Sequence, residues 1–101
     1  MFPTRDKCPL CESDADRTEI TTEAVQRFKG CRCSEYKISD SFLALIRAWR
    51  AGTDDSRVCK DELLLYKSID NELLDKLSAA ARRAVERGEK LLRITEETQV
   101  Q

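Results

Sequence analysis

The sequence predicts an α+β fold: a small ribbon made of a β-hairpin and a short third strand, then two or three helices and a short C-terminal strand. Three observations predict it. Two close cysteine pairs, Cys8-Pro9-Leu10-Cys11 and Cys31-Arg32-Cys33, are separated by a hairpin-sized insert. That insert is rich in β-branched residues and partly alternates between polar and apolar. After Ile38 the apolar residues change to helical spacing. Residues 1–38 are expected to form the ribbon and residues 39–101 a helical appendix packed on it, the two making one compact unit.

The paired cysteines suit a tetrahedral Zn²⁺ site, because each tight turn supplies two thiolates and the insert returns the chain to the metal. Cys8-x-x-Cys11 is a full knuckle, with Pro9 fixing φ after the first ligand. Cys31-x-Cys33 is one residue shorter than usual, and Gly30 stands where a full pair ending at Cys33 would begin. Either Cys31 takes that role through a tighter turn, or Cys33 is the better ligand and Cys59 completes the set. The expected ligands are Cys8, Cys11, Cys31 and Cys33, with Cys59 in reserve. Two disulfides would leave one of the five cysteines over, and no apolar signal segment precedes them. A redox pair at Cys8 and Cys11 would need a βαβ context, whereas Glu12-Ser13-Asp14 reads as a polar turn.

Along the chain, Met1 to Lys7 reads as an irregular or weakly extended leader. Arg17–Thr22 and Ala24–Lys29 read as the hairpin strands, and Tyr36 and Ile38 share one face of the third strand, covering the hairpin. Ser39 is a good N-cap, with Ile38 placed to staple onto Leu43. Phe42, Leu45, Ile46 and Trp49 then form one stripe, read as core, and Gly52 ends the helix. Leu63-Leu64-Leu65-Tyr66 reads as a short helix and Cys59 as a small core side chain. The clearest helix runs from about Asp70 to Arg87, capped by Ser68 or Asp70, with Gly88 as the left-handed residue after it. Leu73, Leu77, Ala80 and Ala84 line one face, widened by Leu74, Ala81 and Val85, and the alanines allow close approach of another helix. Lys90–Ile94 reads as a strand and Thr95-Glu96-Glu97 as the cap of a further helix.

Composition excludes several functions. The 101 residues carry 18 basic and 19 acidic groups, a net charge of −1, which argues against a protein that coats itself on nucleic acid. No apolar run is long enough to span a bilayer. There is no histidine, and no Gly-rich phosphate loop, serine elbow or paired-carboxylate motif. The chain is therefore expected not to be an enzyme. A cysteine nucleophile at Cys59 or Cys33 is the enzymatic alternative, and it lacks a histidine partner. The unpaired cysteine count and the lack of a targeting segment suit a reducing cytoplasm.

The order Cys8-Pro9-x-Cys11, hairpin, Cys31-x-Cys33-x-x-Tyr36-x-Ile38-Ser39, helix, a second helix ending Glu86-Arg87-Gly88, and Leu92-x-Ile94-Thr95 resembles the amino-terminal zinc-ribbon module of many uncharacterised bacterial and phage proteins. Those relatives more often carry a full Cys-x-x-Cys-Gly second knuckle. The resemblance implies a recognition or accessory role, since the module usually precedes a larger effector domain, and it supplies no active-site residues.

The leading functional expectation is a non-catalytic interaction or regulatory module that presents a zinc-stiffened surface to a protein partner. The alternative is nucleic-acid binding, with Arg47 and Arg50 of the first helix and Lys76, Arg83 and Arg87 of the last as phosphate or partner contacts. Self-association through the alanine stripe is a further possibility, and no membrane partner is expected.

Overall fold

The computed structural model describes residues 4–95. Five strands, β1 (Thr4–Lys7), β2 (Asp14–Ile20), β3 (Val25–Cys31), β4 (Ser34–Ser39) and β5 (Arg93–Ile94), form one sheet in the order β1-β2-β3-β4-β5. The first four are successive antiparallel neighbours, and β5 pairs parallel to β4 with Ile38 opposite Ile94. Between β4 and β5 lie α1 (Asp40–Arg50), two single 3₁₀ turns (Asp55–Arg57 and Lys60–Glu62), α2 (Leu63–Ser68) and α3 (Asn71–Glu86). The fold is the expected α+β arrangement. Its leader is more ordered than the sequence suggests, because Thr4–Lys7 is hydrogen-bonded along β2.

Cross-strand register sorts the sheet into two faces, since paired residues share a face and neighbours alternate. Ala15, Phe28, Tyr36, Ile38 and Ile94 occupy one face; all are fully buried and belong to the same core cluster as Phe42, Leu45 and Ile46 of α1 and Leu74 and Leu77 of α3. Phe28 stacks on Tyr36 with ring centroids 5.7 Å apart. The other face is polar, and Val25 is its one buried residue among those described.

α1 begins where β4 ends because the Ser39 side chain accepts a hydrogen bond from the Phe42 amide. Ser39→Ala is expected to cost about 1 kcal/mol of unfolding free energy, measured by urea titration. Both long helices end in the same left-handed motif. Gly52 (φ 73°) bonds back to Trp49 and Thr53 to Ala48, while Gly88 (φ 69°) bonds to Val85 and Glu89 to Ala84. Ion pairs from Asp6 to Arg47 (2.7 Å) and to Arg17 (3.2 Å) tie α1 to the β1–β2 edge. Partial burial raises the Asp6 carboxyl, but the Arg47 hydrogen bond, the Lys7 amide and the two arginine charges outweigh it and leave the group below its ordinary value.

Several expectations are corrected by packing. The buried line of α3 is Leu74, Leu77, Ala81 and Ala84, while Leu73 is half-buried and Val85 exposed. α3 lies against β4, so its small residues admit a strand and not a second long helix. Asp70, not Ser68, caps it, accepting from the Leu73 amide at 2.7 Å. Trp49 is half-buried at the rim of the core. Cys59 is exposed and free: Val58, Tyr66 and Ile69 supply the apolar contacts of this segment, and the Tyr66 hydroxyl donates to the Thr53 carbonyl at 2.6 Å. The strand expected over residues 90–94 is confined to Arg93–Ile94, and the helix cap expected at residues 95–97 falls largely outside the described residues.

Candidate metal centre

Both cysteine turns are built by local backbone rules. In the first, the Cys8 carbonyl accepts from the Glu12 amide at 2.8 Å and the Cys8 amide donates to the Ser13 carbonyl at 2.9 Å; Glu12 takes a left-handed conformation (φ 61°) to close the turn. In the second, Arg32 and Cys33 form the two-residue link between β3 and β4, with Cys31 opposite Ser34. Gly30 explains how a shortened pair can serve. Phe28 pairs with Tyr36 and Cys31 with Ser34, so Cys31 shares the face of Phe28 although three positions separate them. An unbroken strand would place them on opposite faces. The register shift between Lys29 and Cys31, with Gly30 at φ 84°, inserts the extra residue that turns Cys31 inward.

The four sulfurs of Cys8, Cys11, Cys31 and Cys33 all lie within 4.8 Å of one another. Cys8 Sγ and Cys33 Sγ are 3.8 Å apart, which is the edge of a tetrahedron of four sulfurs at about 2.3 Å from a central ion. It is far beyond the roughly 2.05 Å of a disulfide. All five cysteines are free, and Cys59 lies outside the cluster. The donor set therefore fits a metal ion that favours thiolates.

Hydroxyl groups surround the sulfurs. Tyr36 Oη lies 2.9 Å from Cys8 Sγ, Ser13 Oγ 2.9 Å from Cys11 Sγ, and Ser78 Oγ 2.9 Å from Cys33 Sγ. Burial, followed by the neighbouring Cys8 sulfur, pushes the Tyr36 hydroxyl up, so it keeps its proton and can donate to a thiolate. Hydrogen bonding from Cys33 and then Cys8 pulls the Cys31 thiol down to about 4, while the same contacts and burial push Cys33 up. The lowering at Cys31 favours its thiolate form, which suits a cation. Ser78 comes from α3, so the helical segment contributes directly to the surroundings of the sulfurs.

Arg50 braces the first knuckle. Its guanidinium donates to the Pro9 carbonyl at 2.7 and 3.1 Å and to the Leu10 carbonyl at 3.3 Å, and pairs with Glu12 at 3.2 Å. A polar cleft of about 390 Å³ opens beside it, lined by Cys11, Arg32, Asp75, Ser78 and Arg82 among others.

The remaining expected contacts are dispersed. Arg47 is paired with Asp6 and Arg50 with the knuckle, Lys76 is held by Glu72 one turn away at 3.3 Å, and Arg83 and Arg87 are exposed on α3. Nothing in the sequence singled out Ser13, Ser78 or the clamp of Arg50. Ser13 and the Tyr36 hydroxyl were within reach of inspection, being polar groups two or three positions from a ligand, whereas Ser78 and Arg50 reach the centre only through tertiary packing.

Exposure sets Cys59 apart from the other four. With metal bound, iodoacetamide is expected to label Cys59 alone, read by intact mass, and Cys59→Ser should shift stability by no more than about 0.5 kcal/mol.

No helix among the described residues is long and apolar enough to cross a membrane. Searches of family models, curated proteins and solved structures return no match, so the likeness to a zinc-ribbon module is carried by the cysteine pattern and by the convergence of its four sulfurs.

Proposed function

We propose that the protein is a non-catalytic, zinc-stabilised binding module. The observation that carries this reading is the closed donor set: four cysteine sulfurs within 4.8 Å of one another, in tetrahedral reach of a single ion. Four thiolates fill the coordination sphere of Zn²⁺ and leave no position for water or substrate, which is the arrangement of a structural site. Tyr36, Ser13 and Ser78 would donate to the bound thiolates and disperse their charge. Zinc supplies cohesion that so small a ribbon lacks. The lack of histidine supports a role in binding and not in acid–base catalysis. The module offers a macromolecular partner a rigid sheet backed by helices.

Native mass spectrometry of protein purified without added metal is expected to show one Zn²⁺ per chain, retained in Cys59→Ser and lost in Cys8→Ser or Cys33→Ser. A folded protein without metal would overturn the reading.

A further inference from the structure

The four sulfurs are not equally sheltered. Cys8 and Cys33 are fully buried, whereas Cys11 and Cys31 are half-buried, and Cys11 lines the polar cleft together with Ser78. A competing ligand from solvent therefore meets the centre at its half-buried edge, and the cleft opens that edge at Cys11.

Cys11 belongs to the first knuckle, which lies in the link between β1 and β2, where strand pairing stops. Two backbone bonds close the turn, from the Glu12 amide to the Cys8 carbonyl and from the Cys8 amide to the Ser13 carbonyl. Glu12 is left-handed at φ 61°, a conformation that a non-glycine residue keeps only where its surroundings hold it. Arg50 holds the turn from outside. Two of its nitrogens converge on the Pro9 carbonyl at 2.7 and 3.1 Å, and one of them also reaches the Leu10 carbonyl at 3.3 Å. Pro9 and Leu10 are the two residues between the ligands Cys8 and Cys11, so fixing their carbonyls fixes the spacing of the two sulfurs.

The guanidinium is itself well placed to grip. Its side chain is only 23% exposed, and its central carbon lies 5.7 Å from the centroid of the Trp49 ring. The ion pair with Glu12 adds little, because the Glu12 side chain is 63% exposed and screened by solvent. The fork onto the two carbonyls is the stronger part of the clamp.

We propose that Arg50 is a positioning residue that sets how fast the metal leaves. By holding the Pro9 and Leu10 carbonyls it keeps the first knuckle from opening toward the cleft, so Cys11 stays on the ion. The inference rests on the zinc reading above and adds what controls retention at that site. A lysine would keep the charge and lose the planar fork, so it is no substitute.

The test mixes the zinc-loaded full chain with an excess of a chromophoric chelator and follows zinc transfer by absorbance. Arg50→Ala is expected to release Zn²⁺ about 10- to 100-fold faster than the parent, the scale on which groups that orient ligands affect metal sites. Arg50→Lys should still release it at least about fivefold faster, and it carries the comparison where the alanine variant does not fold. Glu12→Gln should stay within about twofold of the parent. So should Arg47→Ala, which removes an ion pair of the same helix to Asp6 and touches no part of the knuckle. Release from Arg50→Ala should change little with urea below the unfolding transition, because a knuckle that opens locally exposes little surface. Iodoacetamide should then label Cys11 as well as Cys59.

Parent-like release from both Arg50 variants would overturn the proposal. So would equal acceleration by Arg47→Ala, or a release rate that climbs with urea along the global unfolding transition, since either would make Arg50 a general stabiliser. A chain that binds no zinc would overturn the zinc reading and this inference with it. A zinc-loaded chain whose release ignores Arg50 would overturn this inference alone.

Discussion

Stripping zinc with a strong chelator is expected to unfold the ribbon and dissolve the contact between sheet and helices. Structural thiolate sites contribute on the order of 10 kcal/mol, comparable to the whole stability of a domain of this size. With zinc bound as proposed, both knuckles would depend on the ion to hold their thiolates together against mutual repulsion. The result should appear as loss of the near-ultraviolet signal of Trp49 and Tyr36, reversed by adding Zn²⁺. Cys33→Ser should resemble the chelated state more closely than Cys11→Ser, because Cys33 is fully buried and Cys11 only half-buried. Acid should act as chelator does. Zinc ligation requires deprotonated sulfur, so falling pH favours proton over metal and weakens the folded state.

Tyr36→Ala should be the most damaging change outside the ligands. It removes a fully buried ring stacked on Phe28, which costs about 3–5 kcal/mol in comparable cores. It also removes the hydroxyl beside Cys8 Sγ. Tyr36→Phe separates the two effects: the ring and its packing stay, and only the donor to the sulfur goes. That variant should lose about 1–2 kcal/mol of stability and roughly 10- to 100-fold in zinc affinity, measured by competition with a chromophoric chelator. If Tyr36→Phe bound zinc as tightly as the parent, the hydroxyl would serve packing alone.

Much of this architecture is legible in the sequence wherever a local rule decides. Ser39 caps α1 and Gly88 closes α3 because cap geometry depends on a few adjacent residues. The hairpin and the third strand follow from alternation, and the convergence of Cys8, Cys11, Cys31 and Cys33 follows from spacing. What is not legible depends on tertiary partners. Cys59 reads as a small apolar side chain, yet Tyr66 and Ile69 fill that region first and leave it in solvent. The face of α3 is shifted from Leu73 and Val85 toward Leu74 and Ala81, since both sets satisfy helical periodicity and only docking on β4 chooses between them. Gly30 lies between these cases. Its position is visible, but its use as a bulge that turns Cys31 inward becomes clear only from the strand register.

The pairing of β5 with β4 also sets an order in time. Every other strand contact joins neighbours in the chain, so the β1–β4 meander can assemble as soon as it leaves the ribosome, whereas Ile94 must wait for all three helices before it can reach Ile38. Until then the flank of β4 is an open edge whose Lys37 amide lacks the Leu92 carbonyl it later finds. The nascent chain therefore passes through a stage in which this open border is guarded by the charges of Glu35 and Lys37.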